Sequence, residues 1–137
     1  MRVIYNTTIP FRGYLAMCLW PWIFVRNELK GKYTPTVDNH EQIHARQQKE
    51  MLAVGIALVA VGLSAGLGLW AVLFVPLFFW WYGIEWLFRL GQYQDGHKAY
   101  RNISFEREAY ANEGDLDYLR RRKHFAWLSY IFKNQKA

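Results

Sequence analysis

The chain has 137 residues, a formal net charge of +6 at pH 7 and a single cysteine, Cys18. This length suits one domain with a modest core, and one cysteine excludes an internal disulfide. Aromatic residues make up 18% of the chain, and the basic residues lie outside one long uncharged block. That distribution favours a protein that faces anionic lipid head groups over a nucleic-acid binder.

Residues 1–37 are expected to form short strands followed by a loop. β-Branched and aromatic residues on either side of Pro21 predict strands through Tyr14–Trp20 and Trp22–Val25. A short helix over Tyr14–Trp20 is the alternative. This apolar segment has no small-residue cleavage site, so we expect no signal peptide. From Gly31 to Asp38 we expect a loop, because Pro35 would stop any preceding helix.

The most informative stretch is the H-E-x-x-H motif formed by His40-Glu41-Gln42-Ile43-His44. Asp38 or Asn39 would be a good N-cap for a helix that carries it. Two histidines four residues apart lie one turn apart on one helix face, so both imidazoles can reach one metal ion. Glu41 would lie beside the metal, where it can take a proton from a bound water. The motif therefore predicts a zinc site, the alternative being a solvated helix start with two surface histidines.

From Met51 to Ile84 the chain has no charged residue. One membrane-spanning helix needs about 20 residues and two need about 40. Helix breakers at residues 62–68 divide the block, which predicts an integral-membrane helical hairpin within residues 38–90. Its arms would run from about Asn39 to Leu63 and from about Leu69 to Leu90, with a kink at Pro76. A buried soluble hairpin or an oligomer core is the alternative.

Basic residues lie on both sides of the uncharged block, and none lies at its tip. The positive-inside tendency then places both ends of the hairpin, with the zinc motif, on the cytoplasmic side. Glu85 in the second arm would lie at about the height of Gln47, one turn below His44. Because an unpaired carboxylate there is costly, we expect Glu85 to bond a zinc-bound histidine or to pair with Arg46 or Lys49. Direct metal binding by Glu85 is a third possibility.

Residues 91–137 are expected to provide the third zinc ligand and a basic tail. A catalytic zinc needs three protein ligands and an open position. The helix that Ser104 would cap offers Glu106 and Glu108, which lie about 200° apart, so only one can face the metal. Helix phase places Glu108 beside the apolar stripe and favours it, with Glu106 the alternative. Asn112, one turn beyond Glu108, would be able to hold a histidine ligand in place.

The tail from Asp115 to Ala137 is predicted to be a basic amphipathic helix. Its basic run, Arg120–Lys123, would meet lipid phosphates. Its apolar side chains would lie in the membrane interface: Phe125, Trp127, Leu128, Tyr130, Ile131 and Phe132. RNA binding is the alternative, but no stacking module accompanies the basic run. We therefore expect a lipid bilayer, and no nucleic acid, as a partner.

The H-E-x-x-H motif followed by a Glu-bearing helix resembles the gluzincin metallopeptidases, whose small membrane-associated members are closest in size. The resemblance implies zinc held by His40, His44 and a downstream Glu, with Glu41 as the general base. The clan's downstream pattern is E-x-x-A-D or E-x-x-A-N. The stretch Glu108–Asn112 fits the second form, and the stretch Glu106–Tyr110 fits the first with Tyr in place of Asp. In the clan, an edge strand before the motif helix usually binds the peptide, and residues 22–26 would be that strand.

Together these inferences predict a single-domain, mainly helical α+β protein that hydrolyses peptide bonds at or in the membrane. Zinc would lower the pKa of a bound water, and Glu41 would remove its proton. The oxyanion would need another donor, for which the candidates are Tyr110, His97, Tyr118 and Arg107.

Two alternatives remain. The first is a non-catalytic membrane protein with a closed four-ligand metal site, completed by Glu85 or His97. The second is a redox metal site, for which the carboxylates are too few. A chain this small has little room for a cleft, so a homo-oligomer or a partner membrane protein is also considered.

Overall fold

The computed structural model describes residues 1–132, which form a mainly helical α+β fold with one small sheet. The strands are β1 (Arg2–Asn6), β2 (Ala16–Leu19) and β3 (Trp22–Arg26). Their order is β1-β3-β2, with β3 parallel to β1 and antiparallel to β2. The predicted strands are confirmed. The expectation that residues 22–26 form an edge is wrong, because β3 is paired on both sides.

The helix α1 (Pro35–Ser64) carries the H-E-x-x-H motif. It begins earlier than the sequence predicted, because Pro35 occupies the first turn, where its missing N–H costs nothing. The N-cap is Thr34, whose hydroxyl accepts a hydrogen bond from the Val37 amide at 3.3 Å. The side chains of Asp38 and Asn39 are thus free for other contacts.

After α1 the chain turns back through a 3-10 helix (Gly68–Phe74) and then α2 (Leu77–Tyr93). The first arm and the turn agree with the predicted hairpin, but the second arm is broken into two helices bent by 62°. Pro76 is the N-cap of α2 and not an internal kink. The arms meet closely, since a Cβ at Gly55 would clash with the Phe74 carbonyl oxygen.

The membrane-spanning length predicted for the hairpin is not found in one helix. Within residues 1–132, no single helix is both long and apolar enough to cross a bilayer. In the described part of the chain, the bent pair formed by the 3-10 helix and α2 has the length and composition to cross a bilayer.

The C-terminal part contains α3 (Gly96–Arg101), α4 (Ser104–Asn112), α5 (Tyr118–Arg121) and a 3-10 helix (Ala126–Tyr130). The predicted continuous tail helix is therefore wrong; its residues 133–137 lie outside the described residues. Two residues of the predicted tail helix are buried in the protein and do not face lipid. Trp127, predicted at the membrane interface, packs in the core with Met51, Phe78, Ile103 and Phe105, and Arg122 is buried in an ion cluster.

Candidate metal centre

Three buried side chains from two helices converge on one point. His40 and His44 extend from the same face of α1, and Glu106 extends toward them from α4. The two Nε2 atoms lie 3.0 Å apart. Glu106 Oε2 lies 3.4 Å from His40 Nε2, and Glu106 Oε1 lies 3.3 Å from His44 Nε2.

The distances from Glu106 to the two histidines suit a tetrahedral metal ion. Bonds of about 2.0–2.2 Å at tetrahedral angles place two zinc ligands about 3.3–3.6 Å apart. The 3.0 Å between the two Nε2 atoms is shorter than this range. Among the residues described, the group with metal-ligand spacing contains these three side chains, which is the ligand number of a catalytic site with an open position. Glu106 Oε2 is also buried without a hydrogen-bond partner in the described part of the chain, as expected of an atom that faces a cation.

The other nitrogen of each imidazole is held by an acceptor. His40 Nδ1 lies 2.8 Å from Glu113 Oε2, and His44 Nδ1 lies 2.8 Å from Gln47 Oε1. A carboxylate can only accept, and the Gln47 amide nitrogen is already donating to Phe105 O and Glu108 Oε2. Both Nδ1 atoms therefore carry hydrogen, which leaves both Nε2 lone pairs directed at the metal position.

The charges at the centre are strongly coupled. Burial acts to raise the pKa of Glu106, but the His44 and His40 imidazoles beside it hold that pKa well below its usual range. Burial likewise acts to lower the pKa of His44, yet the Glu106 carboxylate raises it to about 9. Because the Glu106 carboxylate favours the protonated form of His44, a metal ion at this position would compete with a proton.

Glu41 lies next to the His pair and against β2. It is buried, and burial raises its pKa, while the nearby histidines and a backbone hydrogen bond from Cys18 act in the opposite direction. A carboxylate with a raised pKa is a better proton acceptor from water than an exposed one. The general-base role of Glu41 stays a prediction.

The structure brings Glu106, and not Glu108, to the histidines. The preference for Glu108 rested on a single inward stripe along α4, but residues 104–109 are all buried. Helix phase could not separate the two acids, because the first six residues of α4 are all buried. The ligand that the geometry offers is the alternative, Glu106.

Glu108 belongs to a buried ion cluster. It pairs with Arg122, which also pairs with Glu50 of α1. Glu108 further accepts hydrogen bonds from Gln47 Nε2 at 3.0 Å and from the Tyr118 hydroxyl at 2.9 Å. Glu108 therefore reaches His44 only through Gln47, and Tyr118 is occupied away from the metal position.

Glu85 holds the start of α4 and bonds neither histidine. Its Oε1 accepts from the Ser104 amide at 3.0 Å, and its Oε2 accepts from the Ser104 hydroxyl at 2.6 Å. A carboxylate at a helix N-terminus is favoured by the helix dipole. The predicted pairing with Arg46 or Lys49 is not found; Glu85 pairs with Arg89. Glu85 thus fixes the helix that carries Glu106.

Asn39 holds the opposite end of α4. Its Nδ2 lies 3.2, 2.9 and 3.0 Å from the carbonyl oxygens of Asn112, Glu113 and Asp115. The residue predicted as a helix N-cap is therefore a C-terminal cap for another helix. Asn112, predicted to steady a histidine, instead donates to Glu108 O and to the Tyr130 hydroxyl.

The oxyanion candidates differ in their distance from the centre. The Tyr110 ring packs edge-on against His40, with ring centroids 4.7 Å apart. His97 is exposed and lines the cavity that also contains His44 and Glu41. Arg107 lines a second cavity, which the zinc motif does not border. Tyr110 and His97 thus lie in or beside the site, and Arg107 does not.

Sequence reasoning missed three residues of the centre. Gln47 lies three residues after His44 on one helix face, and Glu113 lies two turns after Glu106 on another, so helix spacing alone would have identified both. Tyr82 donates from its hydroxyl to Glu106 Oε1 at 2.9 Å. No local pattern indicates Tyr82, since 24 residues and a loop separate the pair.

Comparison with protein-family models, with curated proteins and with solved structures gives no match for this chain.

Proposed function

We propose that this protein is a zinc-dependent peptide hydrolase. The observation that carries the proposal is the buried His40–His44–Glu106 cluster, whose potential ligand atoms all lie within 4.8 Å of one another. The donor set of two imidazoles and one carboxylate is one that catalytic zinc uses. The resemblance to gluzincins supports the same reaction.

His40, His44 and Glu106 would hold the ion, which when bound acidifies water and polarises a peptide carbonyl. Glu41 accepts the proton of the attacking water and returns it to the leaving amine. Gln47 and Glu113 keep both imidazoles in the tautomer with a free Nε2 lone pair. Tyr110 and His97 are the candidates to donate a hydrogen bond to the developing oxyanion.

In the alternative function, the metal is structural and connects the C-terminal part of the chain to the hairpin. Arg122 already makes that connection, because it joins Glu108 of α4 to Glu50 of α1. Neither Glu85 nor His97 belongs to the three-residue metal group. Both observations favour the open, catalytic form of the site.

The test is zinc content and peptide cleavage on the purified full-length chain. We expect about one zinc per chain in the wild type, lost in His44→Ala and Glu106→Ala and retained in Glu41→Gln. Glu41→Gln should lose at least about 100-fold in cleavage rate, the usual contribution of a general base. Native-rate cleavage by Glu41→Gln, or full zinc retention in Glu106→Ala, would refute the mechanism.

We also propose that the hairpin is embedded in a lipid bilayer. Large apolar side chains are exposed around its tip and along both arms, including Leu69 (91% exposed), Trp70 (75%), Ile84 (67%) and Val61 (64%). A protein partner would cover one face, whereas here apolar side chains are exposed on α1, on the 3-10 helix and on α2. Soluble monomers rarely expose contiguous apolar patches beyond a few hundred Å².

Flotation with phosphatidylcholine and phosphatidylglycerol vesicles tests this placement. The wild type should float with the vesicles, and the double substitution Leu69→Glu with Trp70→Glu should stay in the soluble fraction. Leu116→Glu is the matched control, because Leu116 is also exposed but lies outside the hairpin. Equal flotation of the double variant and the wild type would refute membrane insertion of the tip. The expected cytoplasmic orientation and a homo-oligomer or partner protein stay predictions.

A further inference from the structure

We propose that the apolar cavity beside the His pair is a substrate-binding site for one large aromatic or aliphatic side chain next to the scissile bond. This inference rests on the proposed hydrolase function and names its substrate class. It concerns a part of the molecule that no motif indicated.

The cavity lies between β2, α1, α2 and α3 and has a volume of about 630 Å³. This volume falls within the range of about 300–1,000 Å³ that is common for small-ligand sites, so it admits a large side chain. One end is formed by Glu41, His44 and Glu106, and the metal position is therefore part of its wall. A group bound in the cavity would be held beside the reacting carbonyl.

The remaining wall is mostly apolar, although the polar side chains of Gln48 and His97 also line it. It is formed mainly by Tyr14, Met17, Leu19, Phe78, Phe79 and Trp86. Cys18 also borders the cavity, and burial raises the pKa of its thiol to about 12, which keeps it uncharged at neutral pH. Away from the metal end, the wall therefore presents aromatic and aliphatic surface.

The charges around the cavity exclude charged side chains. No lysine or arginine borders it within residues 1–132, so His97 is the one basic side chain outside the metal group that an acidic side chain could meet among these lining residues. Glu41 and Glu106 face the metal position and the histidines, which leaves the apolar end without a carboxylate to receive a basic side chain. Burying an unpaired charge is far more costly than burying an apolar group.

The access route runs past α2. Phe79 lines the cavity and is also half-exposed, and Tyr14, another lining residue, is exposed as well. Because α2 belongs to the apolar hairpin, the same surface that would contact lipid leads to the cavity. An apolar substrate segment can therefore reach the metal end along a continuous apolar surface.

A substitution at Gly83 can fill the cavity without removing an existing side-chain contact. Gly83 borders the cavity, and a Cβ placed there meets no atom within 4 Å. Gly83→Phe should insert a ring into the cavity, and replacing a glycine within a helix does not weaken the helix. Gly91→Phe is the matched control, because Gly91 lies in the same helix, has equally open surroundings and does not line the cavity.

The experiment uses hexapeptides that are identical except at one of the two middle positions, which carries Phe, Leu, Ala, Asp or Lys. Cleavage is measured with the zinc-loaded full chain, and binding is measured by fluorescence anisotropy with zinc-loaded Glu41→Gln. We expect kcat/KM for Phe and Leu peptides to exceed that for Ala by at least about 10-fold, with Asp and Lys lowest. Gly83→Phe should remove this preference and still hold about one zinc per chain, and Gly91→Phe should match the wild type.

The outcomes separate the two proposals. Binding that prefers Phe and is lost in Gly83→Phe, without cleavage of any peptide, would support the cavity and refute the hydrolase. Cleavage without preference for Phe or Leu would support the hydrolase and overturn the cavity inference, as would equal behaviour of Gly83→Phe and Gly91→Phe. If no peptide is either cleaved or bound, both proposals are overturned.

Discussion

Gln47 has the most constrained position among the single residues of the centre. It is fully buried, accepts from His44 Nδ1, and donates to Phe105 O and Glu108 Oε2. The two acceptors fix which end of the amide faces the histidine. Gln47 therefore sets the tautomer of His44 without touching the metal position, and Glu108 acts on the site through it.

The first prediction concerns zinc affinity. We expect Gln47→Leu to weaken zinc binding by about 10- to 100-fold, because losing the partner of a metal-binding histidine has costs in that range. Competition with a chromogenic chelator measures the dissociation constant. Gln42→Leu is the control on the same helix, since Gln42 bonds Asp38 and not the histidines. An unchanged zinc affinity in Gln47→Leu would contradict the role given to Gln47.

At the scale of elements, α4 is held at both ends by side chains from other helices. Glu85 of α2 binds its N-terminus, and Asn39 of α1 binds its C-terminus. The position of Glu106 relative to the histidines thus depends on three helices. The C-terminal segment is joined to the same helices by Arg122, whose side chain is 1% exposed between Glu50 and Glu108.

The second prediction tests the C-terminal cap of α4. Asn39→Ala leaves carbonyl oxygens at that end without their donor, and we expect a loss of about 1–3 kcal/mol in unfolding free energy. Urea unfolding in detergent, followed by tryptophan fluorescence, provides the measurement. Thr36→Ala, at an exposed position of the same helix, is the control and should change stability little. Equal stability of the two variants would show that Asn39 is not a cap.

The third prediction concerns the buried ion cluster. Arg122→Met would leave two carboxylates buried without a cation, and removing one partner of a buried pair costs roughly 3–5 kcal/mol. Arg120→Met is the control, because Arg120 is 85% exposed and pairs only with exposed Asp117 in the described contacts. The same urea unfolding measurement compares them. A loss below 1 kcal/mol in Arg122→Met would mean that the cluster contributes little.

At the scale of the whole molecule, a polar centre and an apolar surface are joined by one helix. α1 carries the two histidines of the candidate site in its first third and continues into the hairpin that exposes apolar side chains. α4 packs against the first part of α1 and brings Glu106 to the histidines. The three candidate ligands are thus buried, whereas the tip of the hairpin is exposed.

The fourth prediction concerns removal of the metal. A ligand that binds only the folded state stabilises it by mass action, and here it would join α1 to α4. We expect a chelator to lower the unfolding temperature of the wild type and leave that of His44→Ala unchanged. Differential scanning fluorimetry in detergent measures both. A chelator effect of equal size in the two proteins would place the stabilising metal elsewhere.

The sequence by itself determined the local features of this protein. The H-E-x-x-H spacing placed His40 and His44 on one face, the β-branched and aromatic runs predicted the strands, and the glycine-rich break predicted the turn of the hairpin. Each depends on residues within one or two turns of one another, where helix and strand periodicity is decisive.

Only the tertiary structure decided the choice between Glu106 and Glu108, because residues 104–109 of α4 are all buried and helix phase then does not separate the two acids. It also decided the partners of three polar residues. The sequence predicted that Glu85 bonds a zinc-bound histidine, that Asn39 caps the motif helix and that Arg122 meets lipid phosphates. Buried polar groups must find partners, and those partners lie on elements distant in sequence. The position of a buried charge is therefore a property of the packing of α1, α2 and α4 and not of any one segment.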